Sequence, residues 1–401
     1  TLPGAPRCST RPHPTRAPAS DPPSRLAMAV LSARSLALVS ALLAASVDSV
    51  AAACPMNVRG CNPPTPYTSL KASTSLATIV ASSGFDADMK AKVNLGHQAV
   101  IDFIGGVEPV TAFLFEPNGA ASAYADMETP MCTFLYGTAV NCGFSNLVGI
   151  ATGGGGQYFR GAGAETCCNS QMQSSSAGLY YFPSSSDTAA GIAERAVHEY
   201  THAVQGKYGD MLPAWLMEGG AVQMECLLAH KMPSPMGYAQ CMKFGGGRGG
   251  VIPNMRGYFA SAYGQSNGLA KGEDRCCDGL CGSGDAEVTF ASGGVSTSSY
   301  LFYDSGAVAI AWAINKAGKT SKQFWTSKIS GFWGAIVPYD GYDYATGFPS
   351  SCPADAGWKK AFAAFTGHAN IAAFYAEFDA WAKTATESDV LAILESDADV
   401  E

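Results

Sequence analysis

Apolar residues recur at helical spacing from Ala87 to Ile104, with Met89, Val93, His97, Val100, Ile101 and Ile104 on one side. After Pro109, Val110–Phe115 reads as a strand that stops at Pro117-Asn118-Gly119, and Thr133–Tyr136 reads as a short strand-like piece. Gly178–Phe182 reads as a further strand, ended by Pro183 and a serine run. The period then changes. Asp187 is placed to cap a helix running to about Gln205, with Ile192, Ala196, Tyr200 and Val204 as its buried stripe and Gly206 as its stop. Pro213 opens a second helix, Ala214 to about His230. Further on, helices are expected from Asp304 to Lys316, from Lys322 to about Trp333, and as a pair spanning 354–384, with a turn at Gly318.

This pattern divides the chain. Residues 54–178 form a Cys/Gly-rich region expected to supply a mixed sheet, and 179–231 form the helical pair. A Gly/Cys-rich insertion covers 232–298, a helical subdomain 299–386, and an acidic tail expected to fray covers 387–401. Gly153–Gly156 lacks a following Gly-Lys-Ser/Thr, so it reads as a flexible loop and not a phosphate cradle. The expected class is α+β: a sheet against the first helix of the pair, with a helical C-terminal half.

Composition adds the compartment. With 47% apolar and 10% aromatic residues among 401, the chain can bury a full core and is not a disordered segment. Residues 1–27 are Pro-rich, basic and aperiodic, a leader or dispensable extension. Met28 opens a secretory signal pattern at 28–53: Arg34, an apolar stretch Leu36–Val47, and small residues Ala51–Ala53. That stretch is shorter than the ~20 residues of a spanning helix, so no stable membrane anchor is expected. The expected location is extracellular or the lumen of the secretory-endolysosomal system. Five arginines and two aspartates lie within 1–53, so 20 basic and 31 acidic residues remain beyond it, a net charge of −11. Such a surface repels phosphate backbones, and no nucleic-acid partner is expected. Twelve of the 13 cysteines also remain, which in an exported chain reads as a disulfide framework. Cys132 with Cys142 and Cys226 with Cys241 are the pairs close in sequence.

The chemistry concentrates at His198-Glu199-Tyr200-Thr201-His202. Histidines four apart on a helix share one face, so both imidazoles can grip one metal ion, and Glu199 beside them can reach a water bound to it. With six histidines in the chain, chance would produce this motif roughly 0.003 times. A third ligand comes sixteen residues after His202 as Glu218, in Pro213-Ala-Trp-Leu-Met-Glu-Gly-Gly-Ala221. Two imidazoles and a carboxylate suit Zn²⁺ with a position left for water. Glu225, two turns beyond Glu218, either orients a ligand from behind or is a solvated surface glutamate. Asp340 and Asp343 read as an aromatic turn in preference to a calcium site, so calcium is unsupported. His97, His230 and His368 have no partner spacing and read as ordinary core or surface histidines.

His-Glu-x-x-His followed by Trp-Leu-x-Glu-Gly-x-Ala resembles the gluzincin zinc metallopeptidases, and its second half is similar to the active-site segment of aminopeptidase N-like enzymes. The resemblance implies a zincin-like fold, zinc ligands His198, His202 and Glu218, and Glu199 as general base. It also implies a tyrosine that hydrogen-bonds the oxyanion, often in a Tyr-x-x-Gly segment leading into a helix. Tyr303-Asp-Ser-Gly306 matches, with Tyr300 and Tyr263 as alternatives. The likeness is strong over about 180–230 and loose over 299–384. The spacer between His202 and Glu218 is shorter than in thermolysin-type and aminopeptidase-type members, and Val222 stands where the former carry an aspartate. The Gly-Ala-Met-Glu-Asn signature that holds a free amino terminus is also missing, so an endopeptidase acting on peptides or proteins is expected. The rival readings are a zinc hydrolase of another amide or ester, and a catalytically silent, disulfide-rich binding protein on a peptidase fold.

Overall fold

The computed structural model describes residues 71–116, 125–136, 155–160, 177–183, 189–206, 212–245, 250–273, 299–326, 331–336 and 357–397. The leader and signal segments of the sequence reading lie outside these residues. Among the described residues, no helix is long and apolar enough to cross a membrane.

Six strands are described: β1 (Lys71–Ser73), β2 (Thr78–Ala81), β3 (Gly106–Glu108), β4 (Val110–Leu114), β5 (Gly155–Arg160) and β6 (Ala177–Phe182). β2, β4 and β6 run parallel in that order, and β5 pairs antiparallel with β6 at the edge. β1 and β3 form a separate antiparallel pair. The glycines at 155 and 156, expected in a loop, belong to β5. Helix α1 (Ala87–Ile104) starts where Asp86 accepts the Met89 N–H at 2.9 Å. Helix α2 (Ala125–Tyr136) takes in Thr133–Tyr136, which the sequence reading makes a strand. Four residues are too few to show a period, and Pro130 inside the helix breaks the longer pattern.

Helix α3 (Ala189–Gly206) carries the histidine pair and lies against α1, β5 and β6. Its stripe Ile192, Ala196, Tyr200 and Val204 is buried as the spacing requires. α1 approaches α3 at Gly96, where a Cβ would stand 2.4 Å from Ala193 O and 2.7 Å from Ala196 Cβ, so only glycine fits.

Helix α4 (Ala214–Leu228) follows, with twelve buried residues from Trp215 to Leu228. Three helices then occupy part of the segment read as an insertion: α5 (Tyr238–Phe244), α6 (Val251–Ala260) and α7 (Ala262–Asn267). They are not peripheral. Tyr238, Met242, Val251, Ile252, Met255, Tyr258 and Phe259 all join the common core. Cys226 on α4 and Cys241 on α5 form a disulfide with Cα atoms 5.2 Å apart. Cys142 lies outside the described residues, so the other suggested pairing is not placed.

A π-helical stretch, Ser299–Ser305, leads into α8 (Gly306–Lys316). The helix expected from Lys322 to Trp333 is shorter, α9 (Ser321–Thr326), with a 3₁₀ turn at Trp333–Ala335. The expected C-terminal pair is α10 (Gly357–Thr366) and α11 (Ile371–Ala382). The acidic end does not fray over its first part but forms α12 (Glu387–Glu395). Thr386 and Asp389 close a capping box, and Val390 and Leu394 are buried one turn apart.

Trp215 fastens α4 to this C-terminal half. Its ring meets Phe362 at 5.3 Å and Phe374 at 6.1 Å between centroids. Its indole N–H donates to the Tyr375 hydroxyl (3.1 Å), which donates to Glu273 (2.6 Å), and Glu273 pairs with Lys359 at 2.5 Å. A buried polar chain of this kind keeps each member satisfied.

His97 is a core residue with an energetic consequence. Its Nε2 lies 2.8 Å from the Tyr181 hydroxyl, while Nδ1 is buried without a hydrogen-bond partner. Burial pulls its pKa down to about 3. The unfolded chain takes up that proton below about pH 6.5 and the folded chain does not, so stability is full above pH 6.5 and falls as the pH drops toward 3. Between pH 6.5 and pH 4 the native protein should lose about 3 kcal/mol more than His97→Phe. Urea midpoints across that range measure it, and parallel profiles would refute it.

Candidate metal centre

Each functional side chain is set by a helix. His198 and His202 stand one turn apart on α3, both buried, with ring centroids 4.7 Å apart and planes at 85°. α4 returns Glu218 to face them. Its Oε2 lies 3.2 Å from His198 Nε2 and 3.4 Å from His202 Nε2, and all three ligand atoms fall within 4.8 Å of one another. A tetrahedral zinc with bonds of 2.0–2.1 Å separates its ligand atoms by about 3.3 Å. The donor set and spacing therefore fit zinc.

The opposite ring nitrogens are held as well. His198 Nδ1 contacts Glu225 Oε1 in a short hydrogen bond, and His202 Nδ1 lies 2.7 Å from Gln205 Oε1. Glu225 is thus buried behind His198, and not a solvated glutamate. In the sequence Gln205 marks only the expected end of the helix. Its signal was its place three residues beyond His202, on the same side of α3.

The surroundings favour positive charge at this focus. Burial pulls the His198 pKa down, but the Glu225 charge and the hydrogen bonds to Glu218 and Glu225 outweigh it and raise the value to about 10. For Glu218 burial acts upward, yet the His202 and His198 charges and hydrogen bonds bring it well below the usual carboxylate range. Glu199 is buried beside this cluster. Desolvation raises its pKa, against the lowering pull of His198 and His202.

Tyr303, in the π-helical stretch, stacks on His198 with centroids 5.9 Å apart and planes at 19°. π-turns often mark functional positions because they re-aim a side chain within a helix. Neighbouring contacts hold this stretch: Asn254 Nδ2 donates to Asp304 at 3.0 Å, and the Ser305 hydroxyl to Tyr300 O at 2.7 Å. Of the two alternatives, Tyr263 has its ring against Tyr258 at 6.3 Å, and Tyr300 lies partly buried against the core. The last placement comes from two glycines. A Cβ on Gly219 would stand 2.4 Å from Gly306 C, and one on Gly306 2.1 Å from Trp215 O, so α4 and α8 touch backbone to backbone.

His198, His202, Glu218, Glu199, Glu225 and Tyr303 are thus brought together. Asp340 and Asp343 lie outside the described residues. Among the described residues, His198, His202 and Glu218 are the group of histidine, cysteine and acidic side chains spaced to hold a metal. Comparison with protein families, with curated proteins and with solved structures finds no match for this chain.

Proposed function

We propose that the chain is an exported zinc-dependent metallopeptidase of the gluzincin type, an endopeptidase hydrolysing peptide bonds in peptides or proteins. The observation that carries the reading is the convergence of Glu218 Oε2 on the His198 and His202 Nε2 atoms, at 3.2 and 3.4 Å, with Glu199 buried alongside.

Zinc held by these three residues would supply a Lewis acid that activates water and polarises a carbonyl. Glu199 takes the water's proton during attack and returns it to the departing amine, the ordinary work of a positioned carboxylate. Tyr303 donates to the carbonyl oxygen as negative charge develops there. Glu225 and Gln205 fix the two imidazoles so that each Nε2 faces Glu218.

Metal analysis of the purified protein is expected to give one zinc per chain. Digestion of casein or gelatin should stop on adding 1,10-phenanthroline and return with zinc. A zinc-free protein, or cleavage indifferent to the chelator, would overturn the proposal. Tight zinc with no turnover on any peptide library would favour a silent binding protein, and turnover of non-peptide amides or esters alone would favour a different hydrolase.

A further inference from the structure

We propose that Gln205 is a positioning residue that sets the tautomer of His202 and ties that imidazole to the helix bearing Glu218. The inference rests on the metal reading above and adds a determinant of metal affinity to it.

Gln205 is 1% exposed. Its Nε2 donates to two carbonyls of α4, Met217 O at 3.0 Å and Leu216 O at 3.4 Å, just before Glu218. A carbonyl only accepts, so the amide nitrogen must be the end facing α4. The amide oxygen is then the end facing His202, 2.7 Å from Nδ1. An amide oxygen also only accepts, so Nδ1 must carry the hydrogen. In the neutral ring that a metal requires, Nε2 then carries the lone pair, facing the point it shares with His198 and Glu218. The backbone of one ligand-bearing helix thereby dictates the protonation pattern of a ring on the other.

Gly220 supplies an independent sign that this reach is built in. A Cβ at that position would lie 2.7 Å from Gln205 Nε2 and 3.2 Å from the Trp325 ring. The second glycine of the Glu-Gly-Gly sequence thus leaves room for the amide. The two imidazoles also differ in what stands behind them: a carboxylate for His198, a neutral amide for His202. An amide, unlike an ionised carboxylate, can accept from the ring and donate to the α4 carbonyls in one side chain.

Two substitutions separate positioning from packing. Gln205→Met keeps the volume but neither accepts nor donates. Gln205→Glu keeps an acceptor for His202 and sets a carboxylate against the α4 carbonyls. Zinc affinity, read by competition with a chromophoric chelator, is expected to fall about 10–100-fold in Gln205→Met. It should fall less in Gln205→Glu, although that variant is expected to have the lower metal-free melting temperature, its carboxylate facing the Leu216 and Met217 carbonyls. If zinc affinities instead follow the melting temperatures, or both variants match the native chain, Gln205 only packs and the inference fails. Where a variant does not fold, imidazole ¹⁵N shifts of the native zinc-loaded protein decide: a proton on His202 Nδ1 supports the assignment, and one on Nε2 overturns it. A native chain with no zinc affinity would instead sink the metal reading itself.

Discussion

Glu199→Gln is expected to lower kcat by about 10³-fold while zinc content stays at one per chain. The substitution keeps the shape of a buried side chain among His198, His202 and Glu218, and removes only its capacity to take a proton. Glu199 is not among the three side chains spaced to share a metal, so affinity for zinc should be preserved. The measurement pairs a peptide-cleavage assay with metal analysis of the same preparation. Retention of activity within tenfold would remove Glu199 from the role of base. Loss of zinc together with activity would place it among the ligands.

The largest effect on stability is expected from Gly219→Ala, on the order of 3 kcal/mol. The new methyl would overlap Gly306 C at 2.4 Å and Gly306 Cα at 2.5 Å, and neither can move without shifting α8. Alanine otherwise favours a helix by about 1 kcal/mol over glycine, so the loss must exceed that gain to appear. Gly257→Ala on α6 is the matched control, because a Cβ there meets nothing within 4 Å. That control should be neutral or slightly stabilised. Denaturant midpoints compare the two, and equal effects would show that α4 and α8 separate at little cost. Because Glu218 adjoins Gly219 and Tyr303 lies three residues before Gly306, the same variant should also weaken zinc binding.

How much of this could be read from the chain alone varies by element, for physical reasons. α1 and β4 were legible because each carries one unbroken period: 3.6 across Ala87–Ile104, and a short β-rich run after Pro109. The placing of His198 and His202 on one face follows from helix geometry alone. That Glu218 meets them depends on the return of α4, where spacing could nominate a residue but not aim it. α6 was hidden by composition: Val251, Ile252, Met255, Tyr258 and Phe259 have helical spacing, but the surrounding Gly and Cys drew attention to loops. α12 was masked by its acidic side chains, though Thr386 before it and Val390 and Leu394 within it are ordinary helix signals. For Gln205 the spacing shows only half, a place three residues beyond His202 on the same side of α3. Its meaning lies in which atoms of α4 face it, and no spacing along α3 reveals that.

The cross-link between Cys226 and Cys241 bears on how α4 breathes. The last turn of a helix is ordinarily its loosest, and in α4 the Cys226 carbonyl accepts from the Ala229 N–H while the Leu227 carbonyl lies 3.0 Å from His230 Nδ1. Glu225 lies in that region, three residues before Leu228, yet it must keep hold of His198. With the adjoining residue covalently tethered to α5, unwinding from the C-terminal end is arrested one step short of this carboxylate. Tether, end bonds and burial together favour keeping the grip on the imidazole over unwinding of this terminus.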